Sequence, residues 1–507
     1  MPQGVLPFQY EEDKSKGGMT SLSGLPLYLD LAHLMGLRES IDRHVDVRKD
    51  TQGYSDAQVL TSLILLNLSG GECVEDLKIV EHDEGFCRVL RSSEYYGMKR
   101  KERRAMERRF RKERSRSVPS CSSVFRYLSC FHDEEQEELK VPGKAFICEP
   151  NAHLRGLSRV NTDCMGFFQR HKVEKTATLD MDALVIETHK RDALYSYKGY
   201  KSYQPLNTWW YEQEVVLHTE FRDGNVPAGY EQLRVFQEAL ACLPEGVEQV
   251  RLRSDTAGYQ HDLLRFCEEG KSERFGRIEF AIGCDVTEEY KAAVCEVEEA
   301  QWSTLYIERD GQRVESDRQW AEVCFVPKAV AKSKEGLEYR YLAIREPIRQ
   351  RSFAFAESQE SFPFPNLYMQ DGRYKLFGIV TNMDWEGQEL IPWHYKRCGK
   401  SEEAHSVMRE DLAGSRFPSG GFGQNAAWWW IMILALNLNA AMKSLVLGGS
   451  WVSKRMKAIR FSLINLPGRV LERSRGLWVR LPRGHPSLEI LVAARARIMA
   501  LLLAPSG

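Results

Sequence analysis

At 507 residues the chain is longer than a single hydrophobic core usually grows, which predicts roughly two to four domains. Hydrophobic residues make up 43% and charged residues 28%, a balance that excludes a disordered or fibrous chain. The formal net charge of −1 hides two basic segments, residues 99–116 and 451–483, each with a large excess of Lys and Arg over Glu.

In chain order, residues 1–145 read as helical. Apolar residues recur at three- and four-residue spacing over 25–37 and 56–68, with Ser55 as an N-cap for the second run. The acidic Glu11, Glu12 and Asp13 precede any apolar run, so no secretory signal is expected and the protein is read as cytoplasmic. The basic segment 99–116 offers Arg103, Arg104, Arg108 and Arg111 as phosphate contacts, because clustered guanidinium groups neutralise a polyanion and release its counterions. A short helix over 122–132 and a Pro/Gly connector near 141–143 lead to a helix over 151–173.

The periodicity then changes to that of strands. Residues 175–187, 208–218 and 249–254 read as strands, with a helix over 229–243 between the last two, which is the order of an α/β layer. Residues 277–282, 302–308, 320–326, 339–344 and 374–381 form a β-rich stretch. Helices return over 401–412 and 426–442. The apolar run 426–436 is far shorter than the roughly 20 residues that span a bilayer, so it reads as a buried helix and no membrane partner is expected. The basic tail, with Lys454 and Arg455 as further phosphate contacts, ends in an apolar helix over 488–503. The 12 cysteines contain no CxxC pair, which indicates reduced structural thiols.

Three carboxylates stand out. Asp182 lies within the first strand, Asp255 ends the strand 249–254, and Glu402 sits in a helix behind Tyr395. A charge at the end of an apolar strand is costly to bury alone, and converging carboxylates suit a hard divalent cation such as Mg²⁺, with Mn²⁺ as a substitute. Asp180 and Asp182 share a strand face, so one of the two suffices and Asp182 is preferred.

The runs Leu179-Asp180-Met181-Asp182-Ala183, Leu252 to Tyr259 and Tyr395 to Leu412 together resemble the three blocks of bacterial insertion-sequence DDE transposases, in the group numbered thirteen-eighty. The likeness includes Gly70 to Leu77 and Arg416-Phe417-Pro418. The resemblance implies an α/β fold: an RNase H-like catalytic core split by a β-rich insertion and preceded by an α-helical N-terminal domain. On that layout residues 1–145 bind terminal repeats, 146–262 and 386–450 form the core, 263–385 are the insertion and 451–507 the basic tail. Asp182, Asp255 and Glu402 become the metal-binding triad of an enzyme that cuts and joins DNA. Its partners are double-stranded DNA with terminal inverted repeats, target DNA and a second subunit.

The family's last block reads Tyr, two residues, Arg, three residues, Glu, six residues, Lys. Tyr395 fits its first position, but Cys398 stands at the Arg and Arg409 at the Lys. Arg409 keeps the charge, Arg397 is the substitute for Cys398, and Glu403 is the alternative to Glu402. Trp302 and Trp320 are candidates for stacking a flipped base. Glu402 and His405 form an E-x-x-H pair without a matching second pair, so His405 reads as a surface residue or a support for the carboxylates. The alternatives to a transposase are a catalytically degenerate DNA-binding protein and a metal-dependent nuclease.

Overall fold

The computed structural model describes residues 17–48, 52–110, 113–141, 143–309, 311–327, 339–348, 365–369, 372–473 and 476–503; the side chains of residues 309, 368 and 398–402 are outside the description. Within these residues one hydrophobic core runs from Leu22 to Ile498, so helices from both ends of the chain share it.

The helix Asp56–Ser69 (α1) starts at a capping box. The Gln58 N–H donates to Ser55 Oγ at 3.3 Å and the Ser55 N–H donates to Gln58 Oε1 at 3.0 Å. It stops at Gly70, whose φ of 103° only glycine adopts without strain. The expected helix over 25–37 divides at Gly36, also left-handed, into Pro26–Leu34 and Leu37–His44. Ala152–His171 (α2), capped by Asn151, Gly387–Ser406 (α3), Phe422–Ala441 (α4) and Ser487–Leu503 (α5) complete the longer helices.

Helix α4 is buried nearly all round, against α1, α2 and the sheet. Its helical run continues to Leu447, 26 residues in all, so the apolar segment is longer than the sequence pattern indicates. That run is long and apolar enough to cross a membrane, but 72% of its most apolar window is buried inside the protein, as in a core helix. Three buried asparagines spread over its contacts carry the polar accounting. Asn437 accepts the Val216 N–H at 3.0 Å and donates to the Val216 carbonyl at 2.8 Å, and Asn161 on α2 donates to the Leu217 carbonyl at 2.9 Å. Side-chain amides thereby satisfy a strand edge that has no neighbouring strand. Tyr28 OH donates to Asn439 at 2.8 Å.

The main sheet has ten strands: Thr176–Ala183 (β1), Leu206–Trp210 (β2), Val215–Glu220 (β3), Gln249–Ser254 (β4), Glu279–Cys284 (β5), Ser303–Arg309 (β6), Gln312–Val323 (β7), Arg340–Pro347 (β8), Asn366–Met369 (β9) and Gly372–Thr381 (β10). Their order is β6-β7-β8-β10-β5-β4-β1-β2-β3, with β9 paired to β10. Strands β1, β4 and β5 are parallel and the other pairings antiparallel. The fold is α/β with a large mixed sheet, as expected. The β-rich stretch is not a separate layer: β5 lies beside β4, and β10 continues the same sheet outward. The strand expected over 208–218 is two strands, reversed at 211–214, where Glu214 takes a left-handed φ of 57°.

The basic tail folds back. Gly468–Arg473 and Gly476–Arg480 form a hairpin joined by Met19–Thr20, and α5 packs on Pro26–Leu34 with Arg495 bonded to Asp30 at 2.7 Å. Arg460 is half-buried and donates to the Asn67 and Leu68 carbonyls that the end of α1 leaves open. Part of the tail's positive charge is therefore spent inside the chain. Every cysteine whose side chain is described is a free thiol.

Candidate active site

Strands β1 and β4 run parallel with Met181 opposite Ser254, which sets the next residues, Asp182 and Asp255, side by side at the carboxyl ends of the strands. Open α/β sheets bind ligands at such ends. Asp255 opens a short turn and accepts the Ala257 N–H at 3.0 Å. Gly283 on β5 makes room for this turn, since a Cβ there would meet the Thr256 nitrogen at 3.2 Å. Burial raises the pKa of Asp255, the neighbouring Asp182 raises it further, and Arg397 offsets part of this.

Two residues earlier on the same face, Asp180 is in different surroundings. It is 1% exposed and accepts two hydrogen bonds from the equally buried Arg253, at 2.6 and 2.8 Å. That guanidinium lies against the rings of Tyr211 and Trp393 at 4.5 and 4.8 Å and also donates to the Trp393 carbonyl. Asp180 is thus consumed in a sealed pair that ties β1 and β4 to α3.

Helix α3 lies over the strand ends and is fixed to them along its length. His394, 5% exposed, bonds the Ser254 carbonyl through Nε2 at 3.0 Å. Burial and the Arg397 charge drive its pKa down to about 3, so the ring is neutral and Nε2–H is the donor. Next along the helix, Arg397 Nη1 stands 3.6 Å and His405 Nδ1 3.9 Å from Asp182 Oδ2. One face of α3 therefore supplies positive and hydrogen-bonding groups to the two carboxylates.

The model of the family described as transposase DDE domain group 1 matches residues 12–502. The chain belongs to this family. No curated protein sequence matches it. Among solved structures, a piggyBac transposase synaptic complex with hairpin DNA aligns over 97% of this chain and 85% of that one, at 9% identity and a TM-score of 0.39, a likeness too distant to bear on the chemistry.

In this transposase-family chain the sequence-derived residues fall into three groups. Asp182 and Asp255 come together. Glu402 lies on α3 three residues before His405, the spacing that puts two positions on one helix face, while its side chain and that of Cys398 lie outside the described residues. Glu403, two residues from His405 and so on the other side of the helix, is exposed and lines a different cavity with Trp209 and Arg455. Tyr395 sits further along α3, with the Arg318 guanidinium over its ring at 5.4 Å. Arg397 corrects an expectation. It is 7% exposed and turned inward to Asp182, so the structure gives it a carboxylate partner rather than an open phosphate-binding position.

The basic candidates divide similarly. Arg103, Arg104 and Arg108 are exposed on and just after the helix Arg100–Glu107, and Arg409 is exposed beyond α3. Arg111 lies outside the described residues. Arg455 bonds Ser406 at 3.0 Å and stands 3.4 Å from the buried Asp411, while Lys454 lies over the Trp451 ring at 3.6 Å. Trp302 is 7% exposed and covered by Arg345, whose guanidinium is 4.2 Å from the ring, and Trp320 packs beside Gly387 at the start of α3.

Among the described residues no three His, Cys, Asp or Glu side chains stand close enough to hold a metal ion together. Asp182 and Asp255 nevertheless fit part of a hard-cation site: both donate oxygen, and the mutual repulsion that raises Asp255 is what a divalent cation would relieve. Sequence reasoning passed over Arg253, His394 and Trp393. The one signal for Arg253 was a charged residue at an inward position of an apolar strand.

Proposed function

We propose that the protein is a DNA transposase that cuts and joins the ends of an insertion sequence, with Asp182, Asp255 and Glu402 holding Mg²⁺, or Mn²⁺ in its place. The observation that carries this reading is the pair of carboxylates at the ends of adjacent parallel strands under a helix that also bears Glu402. The strand order β3-β2-β1-β4-β5, antiparallel then parallel, supports an RNase H-like core.

The cation, when bound, supplies a Lewis acid and an activated water for phosphodiester hydrolysis, followed by strand transfer from the freed 3′-hydroxyl. The chain's residues position and balance charge. The Asp255 turn and the β1 ladder fix the carboxylates. His394 and the Asp180–Arg253 pair hold α3 over them. Arg397 sets a positive charge beside Asp182, and His405 stands next to it. The exposed Arg103, Arg104, Arg108 and Arg409 suit DNA phosphates. Two element ends must meet, so the working form is a homodimer acting on nucleoid DNA in the cytoplasm.

The test is incubation of the purified protein with DNA carrying the inverted repeats that flank its gene, in Mg²⁺ or in EDTA. Metal-dependent cleavage with joined products is expected. Cleavage without joining would make it a nuclease, and tight binding without cleavage a degenerate DNA-binding protein.

A further inference from the structure

On the sheet face away from the carboxylates lies a second arrangement of titratable groups. Thr208 pairs with His218 across β2 and β3, while its neighbour Asn207 pairs with Asp182, so His218 and Asp182 project from opposite faces. A cavity of about 340 Å³ opens there between β3, the helix Gln232–Ala241, α2 and the start of α4. Cys242, the residue after that helix, lines it together with His218 and Glu238.

His218 is 7% exposed. Its Nε2 is held by Glu238 Oε2 at 3.1 Å, and its Nδ1 is buried with no hydrogen-bond partner among the described residues. Glu238 and Cys242 are four residues apart and share one helix face, so the imidazole bonded to the first lies beside the second, and each shifts the other's titration. We propose that Cys242 is a nucleophilic thiol, activated by His218 and Glu238, that is modified in this cavity by small disulfides.

The electrostatics run the same way. Burial alone would raise the Cys242 pKa, and the carbonyls at a helix C-terminus also disfavour a thiolate. The neighbouring His218 and its charge, helped by Thr162, outweigh both and leave the thiol below its usual value. Burial alone would lower the His218 pKa, yet Cys242 and Glu238 bring it up to about 9. The other charged and titratable groups lining the cavity are Arg234 on the helix Gln232–Ala241, Glu220 on β3, Arg155 and Arg159 on α2, Glu149 just before α2, His132, Asp133, and Glu137 on the short helix Glu134–Glu138, while α4 contributes the uncharged Trp430. Cys148 lines the same cavity and provides an internal contrast, because burial pushes its thiol up to about 12. In the reaction the Cys242 thiolate attacks one sulfur of R–S–S–R, the S–S bond breaks, a Cys242–S–S–R bond forms and R–S⁻ leaves.

Site-resolved alkylation of the full chain by iodoacetamide at neutral pH tests the activation, and incubation with oxidised glutathione tests the modification. Cys242 should react at least about tenfold faster than Cys148 and take up one glutathione that a reductant removes. His218→Gln should slow Cys242 about tenfold or more without changing Cys148, and Glu238→Gln should slow it less. Cys164, buried in α2, reports folding, since it stays unlabelled only in a folded variant. Equal rates at Cys242 and Cys148, an unchanged Cys242 rate in folded His218→Gln, or rapid alkylation with no glutathione adduct would each overturn the assignment.

Discussion

Asp180 and Asp182 stand two residues apart on one strand and face the same helix, yet they do opposite work. Asp180 is sealed against Arg253, with two aromatic rings over the guanidinium. Asp182, at the strand's end, stands beside a second carboxylate, with Arg397 and His405 3.6 and 3.9 Å from its Oδ2. Depth along the strand makes the difference: the inner carboxylate is compensated by a permanent partner, and the outer pair retains a charge imbalance that a cation can answer. The inner pair holds the site together, and the outer pair stands at the strand ends where a cation would bind.

The largest effect expected from breaking this comparison falls on the outer pair. Asp182→Asn and Asp255→Asn should each reduce DNA-end cleavage by more than about a hundredfold while leaving DNA binding and the thermal midpoint close to the parent, as gel-based cleavage, binding and melting measurements would show. The inner position behaves in reverse. Asp180→Ala leaves a buried guanidinium without its partner and should cost about 3–5 kcal/mol in denaturant unfolding.

Acid should separate the two layers next. His394 is neutral and buried with a folded-state pKa of about 3, below its unfolded value of roughly 6.5. The unfolded chain therefore binds the proton first, and stability is lost as pH falls below about 6.5 toward 3. A His394→Gln variant, which keeps an N–H donor without a titrating ring, should show a shallower loss in urea titrations over that range. The smallest effect concerns the surface. Alanine at Arg103, Arg104 and Arg108 should flatten the salt dependence of DNA binding by about 0.9 log unit for each phosphate that is no longer neutralised. An unchanged slope would make that helix a solvated face.

The outer carboxylates are visible in the sequence as charges at the ends of apolar strands, but each taken singly reads equally as a cap, a turn former or a surface charge, and only the resemblance of the three blocks joined them into one candidate site. The choice between Asp180 and Asp182 was not settled by that pattern, since alternation puts both on one face and the deciding partner, Arg253, is 73 residues away. Helix α3 was expected to begin at 401. It begins at Gly387, and Pro392 within it masks the helical period, so the inward-facing Trp393, His394 and Arg397 were not read as one helix surface. The β-rich stretch reads as strands, although the sequence pattern catches only the end of Gln312–Val323 and omits Asn366–Met369, and its continuity with the core sheet depends on the β5–β10 pairing, with Gly378 opposite Cys284. Periodicity finds strands; it does not order them.

Replacement of a single ligand atom tests the central claim most directly. A thiolate at position 182 would favour Mn²⁺ over Mg²⁺. DNA-end cleavage by Asp182→Cys should be lost in Mg²⁺ and partly recovered in Mn²⁺, whereas Asp180→Cys should show no such preference between the metals. Equal loss of Asp182→Cys activity in both metals, or the same preference at position 180, would contradict the assignment of Asp182 as the cation-binding carboxylate.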